Sequence, residues 1–279
     1  MQSKLVHRRF PVWLQISKLV FQSTTNKIWH VIKHIGHLFY GVYLSLVIIL
    51  MFPILLLGAV ILSKKKLLIL CSAFTRALFF LAGCRITISG KENLNKFEPI
   101  IIVTNHTSYI DVILLMAILP TNIIFIGKKE LLKIPIIKTF FKKMGTISVD
   151  RLDFTQSLED ANKIKSLLEQ KETLVIFPEG TFTYATGLRP FKYGAFKVAV
   201  ETGSAICPIA LQGTRHILRE GTIIPRMGNI KVTICEPLLP KDKGWHEIVR
   251  LSANARLEIA KYCGEQAIDL VMAGVEKKN

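Results

Sequence analysis

The residues of this chain best suited to proton chemistry are His106 and Asp111, five apart in Asn105-His106-Thr107-Ser108-Tyr109-Ile110-Asp111. An imidazole takes up a proton near neutral pH, and a carboxylate on its other nitrogen fixes the tautomer that does so. The preceding run Ile100-Ile101-Ile102-Val103 reads as a buried strand, and residues 112–117 after it read as a helix. Residues five apart on a regular helix point in different directions. The pairing therefore needs His106 in the turn and Asp111 just inside the helix, with Ser108 as a helix cap. The result is an oriented general base with no nucleophilic serine or cysteine evidently attached. A turn histidine meeting a capping aspartate is the plain alternative.

A second block, Phe177-Pro178-Glu179-Gly180-Thr181, follows the apolar run Thr173-Leu174-Val175-Ile176. Two weaker blocks, Gly145-Thr146-Ile147-Ser148-Val149-Asp150-Arg151 and Ile206-Cys207-Pro208-Ile209-Ala210-Leu211, complete an ordered set of four. Together they resemble the glycerolipid acyltransferase family that includes 1-acylglycerol-3-phosphate acyltransferases. The family's first motif has the form Asn-His-x-Ser-x-x-Asp and its third Phe-Pro-Glu-Gly-Thr-Arg. The resemblance covers about residues 86 to 240, with one departure: Phe182 stands where the family has arginine.

The resemblance implies O-acyl transfer, in which a hydroxyl attacks a thioester carbonyl. An alcohol is a poor nucleophile at neutral pH, and a histidine taking its proton contributes typically 10²–10⁴-fold. His106 fits that role, with Asp111 orienting the ring and stabilising the imidazolium. Direct attack by the lipid hydroxyl leaves Ser108 as a cap rather than a nucleophile. Asn105 or backbone N–H groups at the helix start are candidates for the oxyanion. By the same resemblance Glu179 serves acceptor binding. Gly180 would let backbone approach a ligand, and Thr181 offers a hydroxyl. A phosphate on the acceptor needs cations. Lys128 matches the family's lysine before the second motif, with Lys129 adjacent. Because Phe182 cannot pair with phosphate, Arg189, Lys192 and Arg151 are the candidate substitutes. Arg189 is preferred among them for its planar, bidentate fork.

The chain has 279 residues, 50% of them hydrophobic, enough for one sizeable core and an accessory segment. Its apolar excess is local. Apart from histidines, no charged side chain occurs from His34 to Ser63, and residues 42–62 are almost wholly apolar. About 20 such residues span a bilayer core. Pro53 and Gly58 interrupt the run, so a kinked span and a helix that dips and returns both fit. It starts too far from the N-terminus and is too long for a secretory signal.

Thirty-seven Lys and Arg face 20 Asp and Glu, a net charge of +17 that suits an anionic partner. No nucleic-acid module is present. Lys4, Arg8 and Arg9 precede the helically spaced Trp13, Ile16, Leu19 and Val20, and Lys64-Lys65-Lys66 closes the apolar run. Both clusters fit anionic lipid. The five cysteines are scattered, with no paired or zinc-ligand spacing, as expected of a reducing cytoplasmic setting. His30, His34 and His37 share a helical face but lack a carboxylate or cysteine to complete a metal site.

Strands and helices alternate after residue 85, the pattern of an α/β domain. Expected strands are 86–88, 100–103, 123–126, 146–149, 174–177, 206–210 and 230–234. Expected helices are 112–118, 135–144, 155–169, 191–201 and a last one over about 246–273. The expected fold is thus a single glycerol-3-phosphate acyltransferase-like α/β domain over 86–240, a mixed sheet flanked by helices. N-terminal membrane-associated helices (1–85) precede it, and a C-terminal helix (241–279) packs on it.

The function read from all this is acyl transfer from acyl-CoA or acyl-carrier protein to the free hydroxyl of a lysolipid, foremost 1-acylglycerol-3-phosphate. The catalytic domain would face the cytoplasm on an anionic membrane, and no metal or bound organic cofactor is implied. Another lysophospholipid or a lyso-aminolipid as acceptor is the first alternative, kept open by Phe182. A thioester hydrolase and a non-catalytic lipid-binding membrane protein are the others, and the presence of both His106 and Asp111 argues against the last.

Overall fold

The computed structural model describes residues 12–149, 158–181, 185–222 and 224–268. Its centre is a seven-stranded sheet in the order β1-β7-β6-β2-β5-β3-β4. The strands are β1 (Arg85–Ser89), β2 (Ile100–Thr104), β3 (Ile123–Lys128), β4 (Ile147–Val149), β5 (Thr173–Ile176), β6 (Ala205–Gln212) and β7 (Asn229–Ile234). All neighbours run parallel except β6 and β7, so the sheet is mixed, as expected.

Side-chain patterns explain the order. Every residue of β2 and β5 is buried, as strands covered on both faces must be. The edge strand β1 has no buried residue, and β7 beside it alternates. The helices are α1 (Val12–Ile61), α2 (Lys64–Leu81), α3 (Ile110–Ile118), α4 (Pro135–Met144), α5 (Leu158–Glu169), α6 (Gly194–Thr202), α7 (Thr214–Ile217) and α8 (Trp245–Tyr262). Phe196 and Ala199 of α6, with Leu251, Ala255 and Ile259 of α8, pack with Ile101, Leu174 and Ile206 of the sheet in the main core.

Three helical expectations change. The N-terminal opener and the apolar segment are one helix, α1, with Pro53 inside it. Gly58 does not break that helix either. A side chain there would meet Leu70 Cδ2 at 2.6 Å, so glycine lets α1 and α2 approach closely. Leu55 and Ala59 accordingly pack with Leu67, Leu68 and Cys71 of α2 and Met144 of α4. The last helix stops at Tyr262 rather than near 273, because Gly264, at φ +75°, turns the chain out of the helix. Residues 269–279 lie outside the described residues, as do Lys4, Arg8 and Arg9.

The chain divides into two compact units, residues 1–46 and 47–279. Within the first, Trp29, Val31, Ile32, Ile35 and Leu38 are exposed. In the second, α1 exposes Ile48, Ile49, Leu50, Ile54, Leu57 and Val60. Residues 31–61 are the one stretch among the described residues long and apolar enough to cross a membrane, with a mean hydropathy of 2.9 in its most apolar 18-residue window. Only 22% of the most apolar window is buried, unlike the core helix of a soluble protein. α2 also packs on α3, and Arg76 Nε donates to the Ala117 carbonyl at 2.6 Å, a cation at the C-terminal end of α3.

Candidate active site

β2 lies between β5 and β6 at the centre of the sheet, and Val103 is in register with Ile176. The turns that leave β2 and β5 therefore emerge side by side at the carboxyl edge, where open α/β sheets place their ligand sites. His106 stands in the first turn and Phe177 to Glu179 in the second.

His106 Nδ1 lies 2.9 Å from Asp111 Oδ2. A carboxylate only accepts, so Nδ1 carries the hydrogen and Nε2 is the ring nitrogen able to take a proton. Asp111 is fully buried in the first turn of α3, and the same Oδ2 also accepts the N–H groups of Thr107 at 2.7 Å and Ser108 at 2.8 Å. Its position at the helix start favours the negative charge. Oδ1 is buried with no hydrogen-bond partner among the described residues. Phe177 stacks on the imidazole with ring centroids 4.1 Å apart and planes at 28°, which fixes the ring from a third side.

Glu179 is 7% exposed and belongs to the fabric of the site rather than to its surface. Its Oε1 accepts the His106 N–H at 2.8 Å and its Oε2 the Arg189 N–H at 3.0 Å. One carboxylate thus ties the β2 turn to the loop that carries Arg189. This contact depends on which strands are neighbours, so motif spacing could not reveal it. The only hint in the sequence was a glutamate flanked by Pro178 and Gly180 directly after an apolar strand.

Burial pushes the Glu179 carboxyl up to about 7, against the two N–H donors, which favour its ionised form. The Glu265 charge adds to the rise. A carboxyl raised in the folded state contributes stability that is fully present below the unfolded value of 4.5 and lost as pH rises through about 7. The stability of wild type relative to Glu179→Gln is accordingly expected to fall between pH 4.5 and about pH 7. Paired thermal melts measure this, and a difference that stays flat with pH would contradict it.

Ser108 Oγ donates to the Leu218 carbonyl at 2.6 Å and accepts the Ile110 N–H at 3.3 Å. It is a buried cap, with its hydrogen committed. Asn105 is committed as well. Its amide donates to the Leu211 carbonyl at 2.9 Å and accepts the Leu211 N–H at 2.8 Å, joining the end of β2 to β6. These contacts take one of its two amide hydrogens and leave the side chain 1% exposed, so Asn105 first of all fixes the end of β2. Thr107 Oγ1 and Thr214 Oγ1 lie 2.9 Å apart, a further support that the motif spacing did not reveal.

The expected binding residues divide into three groups. Arg189 is half-buried on the loop held by Glu179, and Lys192 is exposed, its N–H bonded to the Pro178 carbonyl at 2.9 Å. The Lys192 side chain runs over Gly180, with Cε 3.0 Å from where a Cβ would be, so Gly180 makes room for Lys192. Thr181 is half-buried beside them. Lys128 ends β3 in the register that pairs it with Val149 of β4. Arg151 and Phe182 lie outside the described residues.

Residues 85–212 match the family model described as Acyltransferase. The chain is 36% identical over 156 residues to a chloroplastic 1-acyl-sn-glycerol-3-phosphate acyltransferase of Arabidopsis thaliana, covering 55% of this chain and 44% of that protein. It is 30% identical over 177 residues to the 1-acyl-sn-glycerol-3-phosphate acyltransferase of Saccharomyces cerevisiae, covering 61% of this chain and 58% of the relative. The chain spans about half the length of the curated relatives it matches. The crystal structure of the 1-acyl-sn-glycerophosphate acyltransferase PlsC from Thermotoga maritima superimposes with a TM-score of 0.65 at 22% identity. That match covers 81% of this chain and 97% of that one, and it establishes the shared fold.

Proposed function

We propose that this chain, which carries an acyltransferase-family domain over residues 85–212, moves a fatty acyl group from a thioester donor to the free hydroxyl of 1-acylglycerol-3-phosphate. The observation that carries the reading is the His106–Asp111 contact of 2.9 Å at the carboxyl edge of the central strand. The names of the matched relatives support the acceptor. In the reaction His106 Nε2 takes the hydroxyl proton as the oxygen bonds to the thioester carbonyl carbon. Asp111 stabilises the imidazolium. The tetrahedral intermediate then expels the thiolate, and the proton held on Nε2 passes to it. Ester and free thiol leave, and no acyl-enzyme forms.

The donor is acyl-CoA or acyl-carrier protein, both of which present the same thioester. The anionic acceptor matches a chain of net charge +17. Detergent-purified protein is expected to turn lysophosphatidate into phosphatidate with at least one donor. Thioester hydrolysis unaffected by lysolipid would mark a hydrolase instead. A preference for a different lysolipid would leave the chemistry and change the substrate.

The same reading seats the protein in a membrane through residues 31–61, with the site on the cytoplasmic face. The exposed apolar side chains of α1 are its support. Full-length protein is expected to stay with the membrane pellet through alkaline carbonate extraction, and complete release would rule out an inserted helix. Removing residues 1–65 should free much of the protein and lower turnover of bilayer-resident acceptor.

A further inference from the structure

Beyond α8 the chain turns back along the loop that bears Arg189. Leu188 N–H donates to the Gln266 carbonyl at 2.8 Å, and Ile268 N–H donates to the Leu188 carbonyl at 2.9 Å. Arg256 Nη2 closes the same contact, reaching the Leu188 carbonyl at 3.0 Å and the Ile268 carbonyl at 2.7 Å. Gly187, at φ +123°, lets the two segments approach closely, since a Cβ there would collide with the Ile268 side chain.

Glu265 holds the start of this contact. Its Oε2 accepts the Gly187 N–H at 2.8 Å, and its two oxygens receive Arg215 Nε at 2.6 Å and Nη2 at 3.1 Å. Both side chains are largely buried, at 13% and 16% exposure, where such a forked pair is little screened by solvent. Arg215 belongs to α7, whose Thr214 meets Thr107 and which leads to the Leu218 carbonyl that receives Ser108. One carboxylate therefore joins two routes to the dyad, one through α7 to the residues after His106. The other runs through Gly187 to Arg189 and Glu179. Three successive amides, at 187, 188 and 189, are each held by a group distant in sequence: Glu265, Gln266 and Glu179.

We propose that Glu265 is a positioning residue for acceptor binding. Paired with Arg215, it fixes the 187–189 backbone so that the Arg189 side chain is presented to the acceptor phosphate. The inference rests on the acceptor reading above and adds to it a role for the segment after α8, which lies outside the four motifs and the matched family region.

The test uses full-length protein in detergent micelles, with hydrogen exchange and steady-state kinetics on Glu265→Ala, Glu265→Gln and Glu265→Asp. Glutamine can still accept the Gly187 N–H but forfeits the ion pair. Aspartate is the conservative change, expected to restore part of the effect. In Glu265→Ala the amides of 187–189 should exchange at least about tenfold faster. The KM for lysophosphatidate should rise about tenfold, the loss of a charge-assisted contact. The kcat and the donor KM should move by less than about threefold.

Glu247→Gln is the control. It breaks the pair with Arg250 at the opposite end of α8, roughly 22 Å along the helix from Tyr262, and should lower the melting temperature while leaving the acceptor KM alone. Unchanged exchange at 187–189 would overturn the proposal. So would an acceptor KM that stays put, or one that moves only in step with kcat, donor KM and melting temperature. A wild-type enzyme inactive on lysophosphatidate would refute the acceptor reading itself, and amide exchange alone would then decide whether Glu265 positions the loop.

Discussion

His106→Ala is expected to abolish acyl transfer while leaving the fold and membrane association in place. The imidazole is 15% exposed but belongs to neither apolar core cluster, and the backbone contact that anchors the turn, His106 N–H to Glu179 Oε1 at 2.8 Å, survives truncation of the side chain. What disappears is the group that, in the proposed mechanism, takes the hydroxyl proton, worth typically 10²–10⁴-fold in general-base catalysis. Asp111→Asn should fall in the same range by a different route. The asparagine oxygen can replace Oδ2 towards His106, Thr107 and Ser108, but its NH₂ then occupies the site of Oδ1, buried without a partner. The negative charge proposed to stabilise the imidazolium is also gone.

Ser108→Ala separates the two chemistries. It leaves the Leu218 carbonyl without its 2.6 Å donor and should cost about 1–3 kcal/mol of stability, with the rate per folded molecule largely kept. Single-turnover assays on folded fractions resolve this. Near wild-type turnover by His106→Ala would end the general-base reading. A loss in Ser108→Ala as deep as that in His106→Ala would reopen a covalent acyl-enzyme route.

The parts of this site that could be read from the chain are those whose cause is local. Continuous apolar runs mark β2 and β5 because strands covered on both faces need them, and the turn after β2 fits a dyad because only a strand-to-helix corner lets residues five apart meet. Glu179 was harder to read. Its motif places it in a loop, but its two backbone contacts come from adjacency of β2 and β5 in space and from residue 189 on a later loop. Phe177 stacking, the Thr107–Thr214 contact and the capture of Asn105 by Leu211 are non-local in the same way. The end of α8 departs from the expected one for a local reason. Apolar spacing continues past it, but Gly264 and the pairing of Leu188 with residues 266–268 compete with the helix and win.

Arg189→Ala is the change expected to reveal what the acceptor carries. If the acceptor is a phosphomonoester, the charge absent at Phe182 must come from elsewhere, and Arg189 is the cation whose backbone is bonded to the carboxylate that also holds His106. The Arg189 charge also favours the ionised form of Glu179, the smallest of the influences on that buried acid. A charge-assisted contact to phosphate is worth roughly 1.5–3 kcal/mol, so the KM for lysophosphatidate should rise about ten- to a hundredfold. Turnover of an uncharged lysolipid, where it occurs, should change little, because no phosphate contact is lost. Phe182→Arg should be tolerated, or should improve use of lysophosphatidate, if residue 182 faces the headgroup. Lysine at 189 should recover only part of the loss, since an ammonium cannot offer the bidentate fork. Kinetics on matched phosphorylated and unphosphorylated acceptors carry the decision. An unchanged KM in Arg189→Ala would move the phosphate contact to Lys192, Lys128 or Arg151. A wild-type enzyme that prefers the unphosphorylated or amino-headgroup lipid would overturn the acceptor while leaving His106 and Asp111 their chemistry.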